Sequence, residues 1–169
     1  MLETNIKSDI ENKLSCLINL SLSDFGRAGN MLWIGFGDRF VKESSIYKES
    51  SRLVSKYSLH VSCAWRLLHS DEIFIANNDF YVIKNDSISW DTIGNNQFDE
   101  RKGLLLKSIE LQKLFVRKIE SDIIGGIKIF FNDGFVLEVF PNCSLKDEYW
   151  RFFENFPHQL DDNPHFVIY

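Results

Sequence analysis

Residues Gly125–Asn142 read GGIKIFFNDGFVLEVFPN. Two apolar, alternating runs flank Asn132-Asp133-Gly134, the pattern of two strands joined by a tight turn. An Asp-Gly pair suits a two-residue turn with positive φ, because glycine takes that conformation without a Cβ clash. The stretch predicts a hairpin, and with it a protein built around an antiparallel sheet.

Upstream, Tyr57–Leu68 (YSLHVSCAWRLL) alternates cleanly. Tyr57, Leu59, Val61, Cys63, Trp65 and Leu67 share one face, and Ser58, His60, Ser62, Ala64 and Arg66 the other, as in a half-buried strand. His69-Ser70-Asp71 then turns the chain into Glu72–Ala76, a hairpin partner, and Phe80–Ile83 reads as a further short strand. Asn30–Gly37 places Met31, Trp33, Gly35 and Gly37 on one side and Leu32, Ile34 and Phe36 on the other, with glycines that suggest a bend or a close backbone approach. Leu114–Glu120, Tyr149–Phe153 and His165–Tyr169 also have strand character.

Helix signals are fewer. Ile6, Ile10, Leu14, Leu17 and Ile18 recur at a 3.6-residue period, and Ser8 with Glu11 fits a capping box. That helix is expected to end before Asp24-Phe25-Gly26, with a short strand over Leu17–Leu22 as the alternative. Lys102–Leu111 forms a second candidate helix, Asp38–Ser55 reads as an exposed connection or a short irregular helix, and Lys84–Gly103 is polar with Trp90 and Phe98 as isolated anchors. The fold class expected is α+β: a single domain, 1–169, with a strongly bent, mainly antiparallel sheet of about seven or eight strands and one or two helices.

The 169 residues, 44% hydrophobic with 15 phenylalanines, suffice for one self-contained core. No apolar run reaches the roughly 18 residues needed to span a bilayer, and MLETNIKSDIENK lacks the basic start and apolar middle of an export signal, so a cytoplasmic protein with no membrane partner is expected. Cys16, Cys63 and Cys143 are odd in number, widely spaced and without a CxxC, which points to reduced thiols packed as small apolar groups.

Net charge is −5, which argues against nucleic acid as a partner. The charge is uneven: Arg101–Lys118 holds six basic residues and one acidic, whereas Asp133–Tyr169 holds seven acidic and two basic. Either the two segments complement each other within the fold, or the acidic one attracts a basic protein. On the second reading Asp133, Asp147, Glu148, Glu154, Asp161 and Asp162 supply negative potential and Phe156 an exposed apolar contact.

Chemistry is sparsely signalled. His60 and Cys63 stand three apart on a strand and so point to opposite faces, which prevents a thiol–base pair. His158-Gln-Leu-Asp-Asp-Asn-Pro-His165 clusters metal-ligand types in a loop between prolines, without a helical HExxH. Asp91, Asp99 and Glu100 flank a polar loop in which paired carboxylates would serve acid–base chemistry only at a set separation; the simpler reading has Asp99 capping the next helix and Trp90 docking the loop. Arg66 and Arg151 are expected to pair with Glu72, Glu138 or Glu148 across strands, or to serve with Trp65 and Trp150 as a binding hot spot. Gly125-Gly126 is no phosphate loop, and no cofactor is implied.

GRAGNMLWIGFG (Gly26–Gly37), YSLHVSCAWRL, WDTIGNNQFDER (Trp90–Arg101), GGIKIFF with GFVLEVFPN, EYWRFF and HFVI follow one another across the chain. In these motifs the chain resembles a family of small bacterial proteins with no assigned activity, of a style similar to immunity proteins, which bind and neutralise a toxin domain. The resemblance implies a non-enzymatic binding protein that occludes a toxin and carries over no site residue. The alternatives are a small hydrolase or metal-dependent enzyme using Asp91, Asp99, His158 or His165, and a scaffold that pairs through an exposed sheet edge.

Overall fold

A computed structural model describes residues 5–43, 51–145, 147–157 and 164–169. It contains ten strands: β1 (Leu22–Ala28), β2 (Met31–Glu43), β3 (Ser51–Val61), β4 (Ala64–His69), β5 (Glu72–Ala76), β6 (Val116–Ser121), β7 (Ile127–Phe131), β8 (Phe135–Phe140), β9 (Trp150–Glu154) and β10 (Phe166–Ile168). Two α-helices accompany them, α1 (Ile6–Leu14) and α2 (Gln97–Gln112). All strand pairs are antiparallel and form two five-stranded sheets, in the order β1-β2-β3-β9-β10 and β5-β4-β8-β7-β6. The α+β class and antiparallel pairing are those expected from the alternation; the division into two sheets is new.

The quoted hairpin is β7–β8. Ile127, Ile129, Phe131, Phe135, Leu137 and Val139 are all buried. Its connection is a three-residue 3-10 turn, Asn132–Gly134, longer than the two-residue turn expected, with positive φ at both Asp133 (56°) and Gly134 (74°). Asn132 is drawn out of the strands because its side chain accepts from Phe115 N (2.6 Å) and donates to Lys113 O (3.2 Å).

Both sheets turn their apolar faces to one core. Leu59, Val61, Trp65 and Leu67 stay in phase through a bend at Ser62–Cys63, where the chain leaves the first sheet for the second. Phe36 stacks on Phe131 between the sheets, and Phe25, Trp65, Phe80 and Phe98 meet with centroids 4.6–6.0 Å apart. The sheets are stitched at one corner, where Val116 N donates to Leu20 O (2.9 Å) and Leu22 N to Leu114 O (2.7 Å).

Several local expectations give way to tertiary structure. Asn5, not Ser8, caps α1, accepting from Ser8 N; Glu11 instead accepts from Ser121 N (3.0 Å) and ties the helix to β6. The first helix ends before Asp24-Phe25-Gly26 as expected; Leu17 closes a 3-10 turn, and the strand begins at Leu22 and runs through Asp24-Phe25-Gly26 rather than over Leu17–Leu22. Gly26 is there for space: Trp33 occupies the volume a Cβ would need. The polar stretch after Gly37 is not a connection. On both sides of residues 44–50 it extends β2 and β3 into a two-stranded arm. Its amphipathic signature is weak because Val41 and Leu53 are more than half exposed. Phe80–Ile83 is no strand: the Asp79 carboxylate accepts from Ala76 N (2.9 Å) and folds Asn77–Tyr81 into a 3-10 turn with Phe80 buried. α2 starts at Gln97 because Asn96 caps it, accepting from Asp99 N (2.9 Å), and Phe98 anchors its first turn; Asp99 is therefore not the cap.

Candidate functional site

Cβ alternation sets which side chains of the first sheet face out. Leu32, Ile34 and Phe36 of β2, Leu59 and Val61 of β3, and Trp150 and Phe152 of β9 are buried inward. Trp33 and Gly35, Ser58 and His60, and Arg151 and Phe153 therefore face outward. Register sets Trp33 between Gly26 and His60, with Arg151 beyond, and Gly35 between Asp24 and Ser58, with Phe153 beyond. Neither helix lies over this area: α1 packs on β6, and α2 on β1, β5 and the 77–81 turn.

Trp33, Gly35, Ser58, His60 and Phe153 line a groove of about 370 Å³, walled on one side by Arg52, Leu53 and Val54 of the arm, with Arg151 next to His60 across the ladder. The arm leaves the sheet at an irregularity between Phe36 and Arg39, where Gly37 has φ 78°. The floor is polar and knitted. Ser23 Oγ donates to Ser55 Oγ (2.8 Å), and Asn155 Nδ2 donates to Ser55 O (2.9 Å) and Ser58 Oγ (2.8 Å). Ser55 and Asn155 are almost wholly buried, so these bonds hold the floor rigid.

Rings and charges form the rim. Phe153 meets His60 edge-on (5.0 Å) and His165 in a stack (4.2 Å). Arg151 forks onto Glu148 through Nε and Nη2 and reaches His165 Nδ1 at 3.4 Å. At the other end Arg39 pairs with Asp24 (3.1 Å). Arg52 has no carboxylate partner among the described residues. Burial, then Arg151, His165 and Arg52, push the His60 imidazole down to about 4, with Glu148 opposing. Burial and then Arg151 also lower His165, with Lys42 adding to the effect. Burial raises Asp24 above the usual carboxylate range despite Arg39. Both histidines are thus neutral at pH 7 and sit in a net positive field. Ser58 Oγ accepts from Asn155, and among the described residues no hydrogen bond joins Ser58 to His60; both side chains are left as polar recognition groups of the groove.

The outer face of the second sheet holds a cleft of about 300 Å³. There Glu138 bridges Arg66 (2.5 Å) and Lys128 (2.8 Å) across three strands. Burial raises its carboxyl, but the hydrogen bonds from Lys128 and Arg66 prevail and hold it below the usual range. The cross-strand pairing expected for Arg66 is met by Glu138, whereas Arg151 pairs with Glu148 three residues before it and not across strands.

The acidic residues singled out in the sequence do not gather on one face. Asp133 is exposed at the β7–β8 turn, and Asp147 is exposed ahead of β9. Glu148 is held by Arg151. Glu154 shares the inward phase of Trp150 and Phe152 and lies opposite Tyr57. Phe156 is 42% exposed beyond β9. Asp161, Asp162 and His158 lie outside the described residues.

Asp99 is engaged on the β1 edge by Arg27, whose Nη2 also donates to Asp91 O (3.0 Å), whereas His165 stands at the opposite edge beside β10. Four strand spacings, about 19 Å, separate these edges. Glu100 pairs with Lys84 at 2.8 Å. Among the described residues no group of three or more His, Cys, Asp or Glu is placed to hold a metal ion. Cys63 is half-buried, and burial pushes its thiol up to about 12; Cys16 and Cys143 are exposed, contrary to the packed thiols expected. Among the described residues no helix is long and apolar enough to cross a membrane.

The groove was only half legible in sequence. Alternation put Trp33 with Gly35 and Ser58 with His60, but nothing local indicated that β2, β3 and β9 would lie side by side. Comparison with protein-family models, curated proteins and solved structures finds no match to the chain.

Proposed function

We propose that this is a non-enzymatic binding protein that holds a partner protein on the outer face of its first sheet. The observation that carries the reading is the groove itself: Trp33, Phe153, Arg52 and Arg151 stand together on a face that neither helix covers. Trp and Arg are the residue types that dominate binding hot spots, and a floor already hydrogen-bonded costs little to order on association. The immunity-like resemblance names the kind of partner, a toxin domain whose active site is blocked by occupancy. A basic partner, expected from the net charge, would meet Asp133 and Asp147, which are exposed on separate elements.

The test is co-expression with the product of an adjacent gene, followed by size-exclusion chromatography and a cell-survival assay. A stable complex is expected, weakened at least tenfold by Trp33→Ala or Phe153→Ala. A complex indifferent to both substitutions, or neither complex nor protection, overturns the reading.

A further inference from the structure

The protein is acidic overall, yet this groove is not. Its rim carries Arg39, Arg52 and Arg151 against Asp24 and Glu148. Two of the three cations are committed to those carboxylates, and one guanidinium, Arg52, is left without a counter-charge among the described residues. The imidazole of His60, which lines the same groove, makes no hydrogen bond with any described residue and keeps its ring nitrogens for a ligand. The Ser58 hydroxyl accepts from Asn155 and retains its own proton to donate.

One uncommitted charge matches a monoanion. A phosphate monoester, carrying close to two negative charges at pH 7, would call for a second free cation. A planar guanidinium with neutral donors beside it suits a carboxylate, and the rings of Trp33 and Phe153 suit an apolar neighbour of that carboxylate. A volume of about 370 Å³ holds one or two side chains.

We propose that the groove is a carboxylate-binding site, with Arg52 the residue that receives an Asp or Glu side chain of the partner and with Trp33 and Phe153 flanking the apolar residue next to it. This rests on the binding role proposed above and names the chemistry of its contact. The partner's acidic side chain displaces groove water, is paired by Arg52, and takes hydrogen bonds from Ser58 and from the N–H of neutral His60. Association weakens with salt, because Arg52 is exposed.

The test is an NMR titration of the intact protein with acetyl-phenylalanyl-glutamyl amide. Saturable shifts are expected at the Trp33 indole N–H and the Arg52 Nε–H. The glutaminyl analogue, and the glutamyl probe on Arg52→Gln protein, are expected to bind at least tenfold more weakly. Phenyl phosphate and acetyl-phenylalanyl-glycine, with its free chain-end carboxylate, are expected to bind no tighter than the glutamyl probe. Absence of shifts at roughly 20 mM, where even a single charge-assisted contact registers, overturns the proposal. So does equal binding of the glutaminyl analogue, indifference to Arg52→Gln, or tighter binding of phenyl phosphate or of the chain-end acid. A partner complex lost with Trp33→Ala but kept with Arg52→Gln sinks the carboxylate assignment alone. Specific binding of the glutamyl probe without any protein partner sinks the broader reading alone.

Discussion

The indole of Trp33 occupies the space beside the Cα of Gly26, its cross-strand partner on β1; a Cβ there would overlap the ring, with Cε2 only 2.6 Å away. The wall of the groove therefore depends on a residue that has no side chain.

Gly26→Ala is expected to push the indole from its seat. Overpacking of this kind costs about 1–3 kcal/mol. Urea denaturation should show that loss, and tryptophan fluorescence a changed environment for Trp33. Gly103→Ala is the contrast: it lies within α2, a Cβ there meets nothing within 4 Å, and the helix should gain about 0.5–1 kcal/mol. Equal effects of the two substitutions would refute the steric account.

Arg27 and Asp99 form a pair whose side chains are only 5% and 6% exposed. Burial raises the Asp99 carboxyl, yet the Arg27 guanidinium and the Gly94 N–H (2.8 Å) hold it below the usual range. The pair clamps the edge strand β1 to the first turn of α2 and, through Asp91 O and Gly94 N, to the loop ahead of it. Arg27→Met alone should cost about 3–5 kcal/mol, because it strands a buried carboxylate. Adding Asp99→Leu should recover part of the loss, a coupling that a double-mutant cycle reads directly.

Glu138 on β8 separates two cations on the strands to either side of it, Arg66 on β4 and Lys128 on β7. Glu138→Ala sets Arg66 and Lys128 across an empty position, and roughly 2 kcal/mol should be lost. Because the folded carboxyl titrates below its unfolded value of 4.5, the wild type keeps this contribution above that value and loses it as pH falls through the lower, folded value. Glu138→Gln should flatten that part of an acid-denaturation profile.

His60 titrates in the opposite sense from a paired histidine. Its folded value is about 4 against 6.5 unfolded, so between these values the unfolded chain binds more protons. The neutral form's contribution is full above pH 6.5, declines as pH falls below it and is exhausted near pH 4. Allowing for partial exposure, the loss is on the order of 1–2 kcal/mol. Urea midpoints at pH 7.5 and 5 should differ accordingly in the wild type and much less in His60→Gln; an unchanged pH dependence in that variant would discount the burial and the cationic surroundings given for His60.

Side-chain phase was readable residue by residue. Leu59, Val61, Trp65 and Leu67 face the core as alternation requires, and the Asn-Asp-Gly turn, the α+β class and the pairing of Arg66 with Glu138 all rest on local pattern or on opposite charges in alternating strands. Phase is local because each Cβ direction is set by the backbone of its own residue. Strand order is not local. Ser58 and Asn155 stand 97 positions apart and meet only because β9 pairs with β3, and the bend at Ser62–Cys63 sends one continuous alternating run into two sheets. No single segment encodes that partnership; it follows from how all the buried faces close over one interior. The groove, and the grouping of Arg52, His60 and His165 around it, were therefore settled by tertiary packing.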